Sequence, residues 1–443
     1  MKLFTRLVLG LVLLAALMPA GVASARPQQQ PLPVSCEAFA SSESSLYIPG
    51  SIAISGQAPS GAETCVIMPS LADWNGGLVI FAHGYVFAYP PDKAVTIPWD
   101  QIILKDPDTG EITGTIPQLI LGMKFAFATT SYSKNGLAVV EGVKGVLELV
   151  RVFKTTLATQ LHVRIPPPEI PVFLVGASEG GLVTTLALEG YPKIFSGGLA
   201  ACGPVGDFRK QVDYWGDLRV VYDHYFPSNQ LGNNAMAIPA ETMAGWGSLA
   251  DPSLWGPVLS WNYGLISADL TNNTGLNTQR LLAATGAPVD PLNPLTIYGT
   301  ILGILEYNVM ATNEAVQELG GNPYSNLDTV YTTYPPDPTL NSGVQRISAD
   351  KDALKAIRKK YQTKGLLKRP LVLLHTTGDP IVPFWHTALY SQKVIQNGTT
   401  QYLNVIPITR YGHCMFKPEE ELLAFQTMLM MASMQAGSAK QAQ

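Results

Sequence analysis

An apolar run, residues 172–175, leads directly into Gly176-Ala177-Ser178-Glu179-Gly180-Gly181, and a helical run, 182–189, follows at once. A serine with glycines two residues before and two after, set between a strand and a helix, predicts a tight, strained turn that leaves the hydroxyl clear. The helix start behind Ser178 brings positive partial charge to the place where an oxyanion would form. That combination suits nucleophilic attack on a carbonyl carbon. A serine hydroxyl attacks only when a base takes its proton, so a histidine is required, with an acid to orient it.

The chain has six histidines. His162 ends a helical stretch and is expected in solvent. His224 lies in a block of different composition, His375 ends an apolar strand as a core residue, and His386 opens a helix after a loop. His83, in Phe81-Ala82-His83-Gly84-Tyr85, follows an early strand. It suits a loop that offers backbone N–H groups to an oxyanion, because Gly84 lets the chain come close. His413, in Tyr411-Gly412-His413-Cys414, falls after the last strand and before the last helix, and is the base we select. Asp379 lies where the apolar run 371–374 continues into Gly378-Asp379-Pro380. It is the acid we select, because sites of open sheets gather at the C-terminal ends of strands.

These side chains need a scaffold that brings distant segments together. Near-continuous apolar runs at 78–82, 125–130, 172–175, 198–201, 371–374 and 402–406 have the composition of strands buried on both faces. Helical patterns at 137–161, 182–189, 385–396 and 419–434 alternate with them, which predicts an α/β protein with a mostly parallel sheet. The alternation breaks from 207 to 346, a block rich in Asn, Pro, Gly, Tyr and Trp, with Trp215, Trp246, Trp255 and Trp261. It contains a helical piece at 295–309 but no strand run. A charged amphipathic helix, 350–364, leads back to the sheet. The block is too long for a loop and reads as an inserted helical cap.

Of 443 residues, 47% are hydrophobic and 14% charged, and the net charge is −4. The balance excludes a disordered chain, and the lack of a basic surplus argues against nucleic acid as a partner. Lys2 and Arg6 precede an uncharged apolar run, 7–18, and Ala23-Ser24-Ala25 follows, the pattern of a secretory signal peptide cut after Ala25. The run is too short to span a bilayer. The expected organisation is a signal peptide, 1–25, a catalytic domain in two parts, 26–206 and 347–443, and the cap, 207–346, between them. Stable membrane insertion is not expected, and localisation is secreted, extracellular or periplasmic. Four cysteines in an oxidising compartment favour two disulfides, and the absence of a CxxC spacing argues against a metal site. Of three possible pairings we favour Cys36–Cys65, stapling the N-terminal strands, and Cys202–Cys414, whose residues should share the C-terminal edge of the sheet.

The segments His83-Gly84, 128–133, 176–181, 378–383 and Gly412-His413 resemble those of secreted α/β-hydrolases of the esterase and prolyl-oligopeptidase-like superfamily. The resemblance covers roughly 46–206 and 347–435. It implies an α/β-hydrolase fold with a helical cap, and the chain order Ser178, Asp379, His413 agrees with it. It further implies Ser178 as nucleophile, Asp379 and His413 as its relay, Glu179 N–H as one oxyanion donor, and Tyr85 or Gly84 N–H as the other. Tannase and feruloyl esterases are similar in being secreted with a large lid, but they carry Cys before the nucleophile where this chain has Ala177. No cofactor or metal is implied. The expected activity is hydrolysis of carboxylic esters, small or polymeric. The alternative is a serine peptidase of the prolyl-oligopeptidase or tripeptidyl-aminopeptidase type, for which Glu179, Glu241, Glu306 or Glu314 could hold a substrate ammonium. Too few residues precede the catalytic part to build a β-propeller. A non-catalytic binding protein on this fold is disfavoured because no triad residue is missing.

Overall fold

The computed structural model describes residues 34–88, 93–163, 170–226, 264 and 266–441. The expected signal peptide, Glu241, Trp246, Trp255 and Trp261 lie outside the described residues.

Eight strands form the central sheet: β1 (Ile52–Gln57), β2 (Glu63–Met68), β3 (Leu78–Ala82), β4 (Ala126–Thr130), β5 (Val172–Ala177), β6 (Gly197–Ala201), β7 (Leu371–Gly378) and β8 (Leu403–Tyr411). Their order is β1-β2-β4-β3-β5-β6-β7-β8. β1 and β2 pair antiparallel, as do β2 and β4, and every later pair is parallel. All six apolar runs expected as strands are strands, and β3, β4 and β6 are buried along their whole length. β1 carried too little apolar signal to stand out, because its second half, Ser-Gly-Gln, faces solvent at the sheet edge. A disulfide joins Cys36 to Cys65 on β2.

Helices cover both faces. α1 (Ile116–Gly122), α2 (Val139–Thr159), α3 (Glu179–Gly190), α4 (Phe208–Tyr225), α5 (Leu276–Thr285), α6 (Thr296–Leu319), α7 (Lys351–Lys360), α8 (Trp385–Gln396) and α9 (Pro418–Gln441) follow in order. Neighbouring residues of β6 mark the two faces. A side chain at Gly197 would strike Met428 of α9, and one at Gly198 would press on Thr184 of α3. α1 was not anticipated: it is a short helix capped by the Thr115 side chain, with Pro117 in its first turn. A two-stranded hairpin, Ile103–Lys105 with Ile112–Thr115, precedes it.

The described part of the long segment between β6 and β7 carries helices joined by irregular stretches, such as 321–338, and adds no strand to the sheet. α4 begins at an Asp207 cap, which accepts the N–H groups of Arg209 and Lys210. The helix expected at 295–309 runs on to Leu319 as α6, ending at Gly320 in the left-handed conformation. Leu218 of α4 and Ile301 and Ile304 of α6 belong to the same buried cluster as Ile80 and Leu373 of the sheet. Among the described residues no helix is long and apolar enough to cross a membrane.

Candidate active site

The turn between β5 and α3 is as tight as its glycines imply. Ser178 has φ 56° and ψ −122°, a conformation that costs a non-glycine residue energy and needs support from its surroundings. Ser178 N–H donates to Ala201 O at 2.9 Å, tying the turn to β6. A Cβ at Gly176 would lie 2.1 Å from Gly180 O, and one at Gly180 would lie 1.9 Å from Ala82 O. The two glycines are therefore required by close approach of backbone, not by flexibility.

The loop after β8 carries His413 to this serine. Its Nε2 lies 2.9 Å from Ser178 Oγ, and its Nδ1 lies 2.7 Å from Asp379 Oδ2. A carboxylate accepts, so Nδ1 holds the proton and Nε2 is free to accept the serine's. Asp379 is fully buried, and its Oδ1 accepts the N–H groups of Ile381 and Val382, each at 2.9 Å. Burial pushes the Asp379 pKa up, but the charges and hydrogen bonds of His413 and His375 outweigh it and hold the carboxyl below the usual aspartate range. The histidine loop is clamped from three sides. Gly412 N–H donates to Gly378 O, Thr376 Oγ1 donates to Gly412 O, and Cys414 is bonded to Cys202.

Of the remaining histidines, His386, which the sequence left as a second candidate for the base, does not meet Ser178, and His375 has an unexpected contact with the site. His162 is exposed just beyond α2, and His224 is on α4. His386 is buried, accepts Gly206 N–H at Nδ1 and meets Gln211 Oε1 at 2.8 Å through Nε2. Burial drives its pKa well down, and it serves as a neutral pin between α8 and the start of α4. His83 is buried and stacked on Tyr132, and burial lowers its pKa to about 4. His375 is a core residue, as expected, but it also touches the site. Its Nε2–H donates to Val382 O at 2.8 Å and lies 3.5 Å from Asp379 Oδ2. The only hint of this in the sequence was the spacing of four residues around the strand end.

The loop after β3, expected to offer an oxyanion donor, differs from expectation at one residue. Gly84 N–H donates to Gln101 Oε1 at 2.6 Å, and Gln101 Nε2 donates back to Tyr85 O at 3.3 Å. The Gly84 N–H is thus engaged within the protein, which leaves Tyr85 of the two alternatives. A Cβ at Gly84 would lie 3.2 Å from Ser178 Cβ, a tight contact that the glycine avoids. Glu179 N–H is at the first position of α3, where no helical carbonyl can accept it. Gln101 was missed because a lone glutamine in an irregular segment carries no pattern.

A cavity of ≈ 40 Å³ adjoins Ser178, walled by Tyr85, Pro204, Ile381, Trp215 of α4 and Tyr307 of α6. The Glu179 side chain points into the protein, where Oε1 accepts Ala138 N–H at 2.8 Å, and burial pushes its carboxyl up to about 8. Glu314 on α6 accepts from Tyr85 OH at 2.7 Å and from Leu137 N–H at 2.9 Å. Cys202, His413 and Cys414 cluster closely enough to hold an ion, but both sulfurs are joined in a disulfide and offer no thiolate.

The strand order, the helices on both faces and the strained serine at the end of β5 are those of an α/β-hydrolase fold. No protein-family profile matches it, and no curated protein matches it either. Among solved structures it is similar to a Legionella pneumophila hydrolase, at 15% identity and TM-score 0.41, with 86% of this chain and 88% of that one covered. It is also similar to an esterase of Pyrococcus furiosus, at 12% identity and TM-score 0.35, covering 82% and 84%. A third likeness is to Pyrococcus horikoshii acylaminoacyl peptidase, at 11% identity and TM-score 0.38. There 83% of this chain is covered, but it spans only 38% of the peptidase.

Proposed function

We propose that this protein is an exported serine hydrolase of carboxylic esters acting through an acyl-enzyme, with Ser178 as nucleophile, His413 as general base and Asp379 as its orienting acid. The observation that carries the reading is the unbroken chain of contacts from Ser178 Oγ through the His413 ring to buried Asp379. His413 Nε2 takes the Ser178 proton as Oγ attacks the ester carbonyl. Tyr85 and Glu179 N–H groups receive the oxyanion, whose charge the start of α3 also favours. His413 then gives its proton to the departing alcohol, and water repeats the cycle on the acyl-enzyme. Asp379 stays ionised beside the imidazolium, as its depressed pKa allows.

The segment 207–346 acts as a cap in this reading, since α4 and α6 supply Trp215 and Tyr307 to the wall beside Ser178. Two disulfides suit an oxidising compartment, in keeping with export. The peptidase alternative needs a carboxylate available to a substrate ammonium. Glu179 and Glu314 are both spent on internal hydrogen bonds, which favours the ester.

Hydrolysis of p-nitrophenyl esters, measured beside aminoacyl and prolyl p-nitroanilides for wild type and Ser178→Ala, tests the proposal. Ester turnover dominating in the wild type and lost in the variant is expected. Dominant anilide turnover would move the protein to the peptidases.

A further inference from the structure

A second and larger cavity, ≈ 360 Å³, lies on the other face of the sheet from α3, between the sheet and a wall made by the 103–115 hairpin, α1 and α9. Its volume is in the range of about 300–1,000 Å³ typical of ligand sites. The lining is mostly apolar. Leu119 and Met123 come from α1, Leu422 and Phe425 from α9, and Val175 and Ala177 from β5. Val175 and Ala177 lie in a strand paired on both sides, yet both remain partly accessible, while Leu174 beside them is fully buried. Empty space therefore reaches the middle of the sheet. Burying an alkyl chain against such walls is favourable for each methylene removed from water.

Three lining residues connect this cavity to the catalytic groups. Ala177 immediately precedes Ser178, Cys414 immediately follows His413, and Gln101 is the side chain that holds the loop of Gly84 and Tyr85. Gln101 stands close to the serine through Gly84: a Cβ at Gly84 would lie 3.2 Å from Gln101 Oε1 and 3.2 Å from Ser178 Cβ. The cavity beside Ser178 on the cap side, at ≈ 40 Å³, has room only for a small group. Charged side chains of the larger cavity are Asp100, Lys105, Asp106 and Glu421. Burial and then the neighbouring Glu420 push the Glu421 carboxyl up to about 7, so it tolerates an apolar neighbour.

We propose that this cavity is the acyl-chain site, and that the substrates are esters of long-chain fatty acids; the inference rests on the ester-hydrolase reading above. The test compares p-nitrophenyl acetate with p-nitrophenyl dodecanoate for wild type, Leu119→Trp and Leu422→Trp, which fill the cavity from two independent walls. Each indole displaces several chain methylenes, so kcat/KM for dodecanoate is expected to fall about tenfold or more while that for acetate holds within about twofold. Equal losses on both esters, or no loss on either, would overturn the proposal. Binding of dansyl-undecanoic acid to Ser178→Ala, with dodecanoate as competitor, separates this inference from the reading beneath it. Saturable binding abolished by Leu422→Trp supports the cavity even if no ester is turned over. No binding, with short esters still hydrolysed, sinks the cavity and spares the hydrolase.

Discussion

Glu179 stands one residue after Ser178, and its backbone and side chain face different surroundings. Its backbone N–H lies at the first position of α3, while its side chain is buried and accepts Ala138 N–H. Burial raises the carboxyl from the ordinary range near 4.5 to about 8. Between those values the folded protein binds a proton that the unfolded chain does not, so this residue's contribution to stability is largest at low pH and is lost as pH rises toward 8. Glu179→Gln keeps an oxygen for Ala138 and removes the charge. Its melting temperature is expected to equal that of wild type at pH 4 and to exceed it by roughly 5 °C at pH 9, about 5 kcal/mol. A difference independent of pH would show that the carboxyl titrates in the fold as it does in the unfolded chain.

Among the elements, the histidine loop depends most on a covalent tie. The Cys202–Cys414 bridge links the end of β6 to the residue after His413 and closes 212 residues. The other bridge closes 29 near the sheet edge, away from the triad. In the chain-entropy account both are worth a few kcal/mol, about 5 and about 4 respectively. Their effects on catalysis should differ in kind. Cys202→Ala with Cys414→Ala is expected to lower the melting temperature and also to reduce kcat about tenfold at temperatures where the protein is folded, because His413 loses its anchor. Cys36→Ala with Cys65→Ser should lower stability and leave kcat near wild type. Equal kcat in both double variants would mean that the hydrogen bonds at Gly412 suffice to hold the loop.

For the whole molecule, the inserted segment is tied into the catalytic scaffold. Three side chains of α4 reach the loop that carries Asp379: Tyr214 OH donates to Pro380 O, and Trp215 Nε1 and Gln211 Nε2 donate to Ile381 O. All three contacts are buried, so removing their donors leaves carbonyls unsatisfied beside the acid. The apolar faces of α4 and α6 also share one core with the sheet. Replacing 207–346 by a short linker is therefore expected to abolish cooperative thermal unfolding and near-ultraviolet circular dichroism. A truncated chain that still melts cooperatively would establish the segment as a separable cap.

How much of this was legible beforehand differs by residue. Ser178 announced itself because a strand, two glycines and a helix are all local in sequence, and Asp379 and His413 followed because strand ends are local too. The six core strands were legible for the same reason: parallel strands buried on both faces need continuous apolar runs. Gln101, His375 and the α4 contacts to Pro380 and Ile381 were not, since each is a polar side chain whose partner lies on another element or across a turn. The small cavity on one side of the serine and the large one across the sheet were equally invisible. The sequence by itself determined the sheet, the strained serine turn and the chain order of Ser178, Asp379 and His413, because periodicity and turn geometry are short-range. Only the tertiary structure decided which backbone N–H is engaged, what clamps the histidine loop and where cavities are left beside and beneath the sheet, because those depend on packing between segments far apart in the chain.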